Sequence, residues 1–320
     1  MSEKSSTFAV PNACVRKTGS VQIQKAVLVI LRKRLVYILL SMALMMPVSV
    51  YAERNDLHAE ADRPGAGTGT NVLDFGVFQW ETGFEVMHIP GTHALTIPTT
   101  LFRFGLHERA ELRLEYTGGL AIIDHPDSDP QTQDHAFYYT EPLCIGTKLM
   151  LWPGSEEPRL HWIPRTSLML NVGLPLTKQM ADRMPIAGRA DLLFENDITD
   201  WLTVEYEFGA HWREWAPMPD FFVAFGLDFE ATDKLGFFVE NYDYFDCDVN
   251  AALFGYSTAY DVNIDFGVTY SPIPRVQLDA YAGFNCYHTL PEVCGPKNNC
   301  YFGFGVTWLY YSKRHDSRKQ

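Results

Sequence analysis

From about Val77 onward the chain keeps one habit: segments of roughly ten residues in which large apolar side chains alternate with polar or small ones. Successive side chains on a strand point to opposite faces, so this period describes strands with two unlike sides. Phe78, Trp80, Phe84 and Val86 alternate with Gln79, Glu81, Gly83 and Glu85, and Leu112, Leu114 and Tyr116 alternate with Glu111, Arg113 and Glu115. The same rhythm runs through 202–209, 223–230, 262–270 and 276–284. Few stretches support a helix. The pattern predicts strands at 77–87, 96–106, 110–118, 143–152, 160–173, 187–197, 201–211, 220–231, 234–243, 260–271, 275–285 and 299–311. That makes about twelve, an even number, as single-chain bacterial barrels require.

Short connections (107–109, 153–159, 197–200, 232–234, 271–275) take turns with long polar ones (119–142, 174–186, 212–219, 244–259, 286–298). Short turns at one rim and long loops at the other are the plan of an all-β, closed, antiparallel up-and-down transmembrane barrel. Alternation alone fits a soluble sandwich equally well, because only the solvents on the two faces differ. Three details favour lipid. Trp80, Trp152, Trp201, Tyr270, Trp308 and Tyr310 fall near strand ends, where interfacial girdles form. The opposite face is thick with glycine and carboxylates, as a lumen tolerates. The last strand, Phe302-Gly303-Phe304-Gly305-Val306-Thr307-Trp308, suits a barrel closer, although a polar tail, 312–320, follows it.

The N-terminus carries the export expectation. Arg32, Lys33 and Arg34 precede an apolar run, 35–50, that ends in Val50-Tyr51-Ala52. Basic, apolar, then small is the order of a cleaved signal peptide, here 1–52, and the run is short for a spanning helix. Seven Lys/Arg and one Glu lie in 1–52, so the overall charge of −13 becomes −19 for the remainder. Such acidity excludes nucleic acid as a partner. A mature chain that meets a bilayer must then do so with strands. The glycine-rich segment 53–76 either enters the lumen or hangs in the periplasm, and 77–311 forms the barrel.

A resemblance adds to this reading. Ala61-Asp62-Arg63-Pro64, the Gly/Thr-rich stretch 65–70 and Gly76-Val77-Phe78-Gln79-Trp80-Glu81-Thr82-Gly83 resemble the opening of the outer-membrane transporter family named for the meta-pathway of phenol degradation. Segments 101–106 with 109–114, then 170–175, 197–206, 233–240, 265–270 with 276–284, and 301–308 resemble its later signatures in order. The resemblance implies a closed barrel and passage of small, hydrophobic or aromatic compounds. It brings no catalytic residues, and the family name reflects genetic context rather than a substrate.

The face expected to line the lumen carries Glu81, Glu85, Arg103, Glu111, Arg113, Glu115, Lys148, Glu205, Glu207, Asp228, Glu230, Glu240, Asp265 and Asp279. Eleven carboxylates against three bases should favour cations in a narrow channel. Alternatively, the bases pair with neighbouring carboxylates and simply fill the interior, which in a twelve-stranded barrel is narrow. Mature cysteines are Cys144, Cys247, Cys286, Cys294 and Cys300; a Cys286–Cys300 bridge would staple two strands, Cys294 could instead pair with either, and free thiols are the third alternative. Zinc with His288 fits no standard spacing, and the acidic loop with Asp124, Asp127, Asp129 and Asp134 reads as solvation rather than a calcium site. Ser167 and His211 lack any local hydrolase motif, and His211 beside Trp212 reads as interfacial. The sequence therefore points to an outer-membrane pore for small solutes, monomeric, without cofactor or enzymatic activity. Its partners are the bilayer and the outer-membrane assembly machinery. A surface barrel whose long loops bind a partner is the competing expectation, and a soluble secreted binder the third.

Overall fold

The computed structural model describes residues 57–89, 92–123, 135–154, 162–176, 187–212, 219–246, 259–288 and 299–311. The expected signal peptide 1–52, the tail 312–320, the acidic loop from Asp124 to Asp134, Cys247 and Cys294 lie outside them. Strands occupy Phe78–Ile89 (β1), Thr92–His107 (β2), Ala110–Ile123 (β3), His135–Thr140 (β4), Leu143–Trp152 (β5), Arg165–Leu174 (β6) and Ala187–Thr199 (β7). They continue with Leu202–Trp212 (β8), Asp220–Thr232 (β9), Leu235–Asp246 (β10), Ala259–Ile273 (β11), Val276–His288 (β12) and Cys300–Tyr310 (β13).

Each strand pairs antiparallel with its sequence neighbour, and β1 pairs with β13 from Phe78↔Tyr310 to His88↔Cys300, which closes the ring. β4 and β5 both pair with β3, one above the other, so thirteen segments make twelve staves. Pro142 interrupts this stave; proline cannot donate to a ladder. All twelve expected strands are present. The stretch 119–142, expected to be loop throughout, instead extends β3 to Ile123 and contributes β4. Its Leu120, Ile122, Phe137 and Tyr138 supply the apolar content of a strand.

The barrel is inside out relative to a soluble protein. Phe225, Phe266 and Phe304 are each 49% exposed on the outer surface, whereas Glu81, Glu111 and Lys148 are fully buried in the interior. The exposed rows continue with Leu112, Val172, Phe208, Leu278 and Phe302 around the circumference. A soluble monomer rarely leaves so continuous an apolar surface in water, and hydrocarbon accounts for it. Trp152, Trp201, Tyr270 and Tyr310 stand exposed at the short-turn rim. Trp80 and Trp308 lie deeper, directly opposite one another across the β1–β13 seam. Among the described residues, a cluster of buried apolar side chains, Ala59, Leu73, Val77 and Leu309, sits where the N-terminal segment meets the barrel. Arginine in place of Phe225, at mid-strand on the lipid face, should cost about 2–4 kcal/mol. Denaturant titration of protein refolded into liposomes would read that loss; an unchanged midpoint would contradict the lipid assignment of this face.

Candidate functional site

Residues 57–76 precede β1 and run inside the ring. Three glycines in 65–69 give this segment little side-chain bulk, so its backbone approaches the wall closely. Such a backbone, removed from water and outside any ladder, needs partners for its N–H and C=O groups. Wall side chains provide them. Glu240 accepts from the N–H groups of Ala66 (2.8 Å) and Gly67 (2.7 Å), and Glu207 from Thr68 N–H (2.8 Å). Glu195 accepts from the N–H and hydroxyl of Thr70, and Glu111 from Leu73 N–H (2.9 Å). The carbonyls are met by cations. Lys148 donates to Gly69 O (2.7 Å) and Asn71 O (3.1 Å), and Arg103 to Glu60 O (2.7 Å) and Asn71 O (2.8 Å). Ser167 donates its hydroxyl to Thr70 O at 2.6 Å. Two glycines are required by this fit. Gly65 adopts φ +101°, and a side chain on Gly105 would collide with the backbone of Asp74.

One carboxylate organises the interior. Asp62 pairs with Arg113, with Lys148 at 2.7 Å and with Arg103 at 3.4 Å. Arg103 also holds Glu111 (2.9 Å) and Glu81 (3.3 Å), and Arg113 holds Glu111 (3.0 Å) and Glu115 (3.3 Å). Burial alone would raise the Asp62 carboxyl, but Arg103, Lys148 and Arg113 together outweigh it and hold the group far below the usual carboxylate range. The next residue, Arg63, lies along the wall across the closing seam, donating to Thr99 Oγ1 (2.8 Å) on β2 and to Asp279 (3.3 Å) on β12.

The expected lining residues divide into groups. Glu81, Arg103, Glu111, Arg113, Glu115 and Lys148 come together around Asp62. Glu207 and Glu240 grip the inner segment, and Asp279 holds Arg63. Glu85 accepts from Tyr281 (3.0 Å) and Asp265 from Tyr301 (3.2 Å). Glu205 borders a small cavity with Gly67 and Thr68, and Asp228 is half-buried on the same side. Glu230 differs: it shares the inward parity of β9 but lies exposed near the short-turn end, beyond the bore. Cys286 and Cys300, expected as a bridge, are free thiols. Cys300 stands opposite Phe284, not Cys286. A diagonal pair lies about 7–8 Å apart, outside disulfide reach. His211 is not interfacial; it is buried, and its Nε2 lies 2.7 Å from Asp191 Oδ1. Among the described residues no group of three His, Cys, Asp or Glu side chains is arranged to hold a metal ion.

Several interior residues escape the sequence reading. Arg189 pairs with Asp191 (2.6 Å) and Glu207 (2.9 Å), and Arg165 pairs with Glu195 and Asp197. A cavity of about 200 Å³ opens above the inner segment, lined among others by Arg63, Gly65, Thr99, Glu115 and Arg189. Next to it, His211, Phe222, Tyr242, Tyr244, Tyr281 and Tyr301 form a chain of ring contacts, with an inter-ring hydroxyl pair between Tyr242 and Tyr301, along β8–β10, β12 and β13. Every Lys or Arg of the barrel strands lies on β2–β7; β8–β13 contain none.

A closed, lipid-facing barrel with a polar, partly filled bore is the architecture of outer-membrane channels. The described chain superposes on the COG4313 outer membrane channel from Pseudomonas putida F1 with a TM-score of 0.53 at 10% identity, covering 81% of this chain and 100% of that one. A second similar structure, the NanC porin, gives 0.47 at 6% identity, over 72% and 98% of the two chains. No curated protein matches the sequence. The family described as the putative MetA-pathway of phenol degradation matches residues 61–288. The chain belongs to this family.

Asp62→Asn leaves Arg103, Arg113 and Lys148 with one counter-charge fewer. Breaking a buried charge network on one side costs about 3–5 kcal/mol, which should loosen the docking of 57–76. The expected readout in planar bilayers is a larger and noisier conductance step than wild type; an identical step would mean that Asp62 does not hold the segment.

Proposed function

We propose that the protein is a monomeric outer-membrane channel, exported through the leader 1–52, that passes small solutes without energy input. The observation that carries this reading is the inverted barrel whose bore is polar and only partly occupied by the segment 57–76. In such barrels the short turns face the periplasm and the long loops face outward, so 57–76 enters from the periplasmic side. Solutes would pass beside its tip, between the cavity that Thr99, Glu115 and Arg189 line on β2, β3 and β7 and the wall of β8–β13 that faces it.

Charge in this bore is one-sided. The cations of β2–β7 are spent on Asp62, Glu81, Glu111, Asp191 and Glu195. Across from them, Glu205, Asp228, Glu240 and Asp265 have no Lys or Arg on their own or neighbouring strands from β8 to β13, apart from Glu207's partner Arg189 on β7. Small cations should therefore pass more readily than anions. The aromatic wall on the same side gives neutral hydrophobic or aromatic solutes a surface to slide along. Loops that bind a surface partner would need no such wall.

Reconstitution in planar bilayers tests the reading. Discrete conductance is expected, with a reversal potential in a KCl gradient on the cation-selective side. Silence from protein shown to be folded by heat-modifiable gel mobility would favour a structural or adhesive barrel. Glu205→Gln combined with Asp228→Asn should cut the K⁺/Cl⁻ permeability ratio about two- to fivefold, in line with loss of two uncompensated charges. An unchanged ratio would mean that these carboxylates lie off the conducting path.

A further inference from the structure

The inner wall of β8–β13 has two properties that seldom coincide by accident. It is aromatic, and among its charged groups are the carboxylates Glu205, Asp228, Glu240 and Asp265, with no Lys or Arg on those strands. Tyr242, Tyr244, Tyr281 and Tyr301 are half-buried, so their rings remain open to the bore, and Phe222 backs them with its centroid 5.0 Å from that of Tyr244. Tyr281 and Tyr301 meet edge to face at 6.2 Å. The two rings lie against Gly303 and Gly283 of the wall, and their hydroxyls donate to Glu85 and Asp265, which places a carboxylate beside each ring. A ring face attracts a cation through its quadrupole, more strongly where water is partly excluded.

The molecule already contains one example of what this wall binds. Arg63, delivered by the inner segment, lies with its guanidinium carbon 5.7 Å from the Tyr281 ring centroid while it pairs with Asp279 at 3.3 Å. A weakly hydrated organic cation on an aromatic face, with a carboxylate beside it, is thus accommodated at the lower edge of the wall. Above that point the rings continue and Arg63 does not.

We propose that this wall recognises organic ammonium compounds and makes them preferred solutes of the channel. The proposal rests on the channel reading above and narrows it, because charge alone would favour any cation, whereas ring faces favour those with alkylated, poorly hydrated nitrogen. A bare inorganic ion keeps its water and gains little from a tyrosine face.

The test uses choline and its uncharged tert-butyl isostere as competitors of K⁺ current in planar bilayers, with the full mature chain. Choline should reduce the current at a concentration at least about fivefold below that of the isostere. This preference should shrink about fivefold in Tyr301→Leu and in Tyr242→Leu, and persist in Tyr301→Phe, which keeps the ring and removes only the hydroxyl. Heat-modifiable mobility checks the folding of each variant. Equal potency of the two probes, or a preference that survives Tyr301→Leu and Tyr242→Leu, would overturn the proposal. Absence of any K⁺ current from folded protein would instead overturn the channel reading. In that event calorimetric titration of the same two probes into detergent-folded protein decides the recognition claim, and equal or absent binding sinks it.

Discussion

Every backbone N–H and C=O that faces hydrocarbon must find its partner within the protein, because lipid offers none. Here the requirement is met by the pairing of β1 with β13, which leaves no free edge in the ring. Once the ring is closed, strand geometry leaves each side chain two choices, lipid or lumen, and the composition of each stave follows. Phe84 and Phe304 meet on the outside of the seam with ring centroids 5.6 Å apart, while Glu81 one pleat away is buried within. The fold is held from outside by the bilayer and by ladder hydrogen bonds rather than by an apolar core.

Inside, the problem is reversed. Ten described wall residues (Gln79, Glu81, Arg103, Glu111, Lys148, Ser167, Glu195, Glu207, Glu240 and Gln277) bond the backbone of a segment that makes no strand. Charges buried without partners would be costly, and the network around Asp62 offsets that cost by pairing three cations with several carboxylates and main-chain dipoles. The lumen is therefore less a bare acidic tube than a neutralised half facing an acidic, aromatic half. Selectivity would come from the second.

Much of this was legible in the residues. The period of two, the alternation of short and long connections and the even strand count describe the barrel, because lipid enforces them at every stave. The interior was read where inward positions were uniformly polar or small, as at Glu81, Arg103, Glu111 and Lys148. It was missed where they were mixed. Met169 and Leu193 point inward and are fully buried, so β6 and β7 lack clean alternation, and Arg189, Asp191 and Glu195 have no visible inward pattern beside them. The inward tyrosines were equally hidden, since Tyr281 and Tyr301 look like any aromatic residue of a strand until register fixes their side. Asp62 and Arg63 carried a family signature but no periodicity, and nothing local says that they lie within a ring formed by residues up to 240 positions later. The Cys286–Cys300 expectation failed on register, which the spacing of two cysteines around a loop does not encode.

The distribution of these contacts also sets an order of events. The partners of residues 60–73 are spread over β1, β2, β3, β5, β6, β7, β8, β10 and β12, and Arg63 alone spans β2 and β12. No partial sheet offers them together. Residues that precede every strand in the chain thus find their places only once the last strands have paired, and a filled lumen is a sign that the cylinder around it is complete.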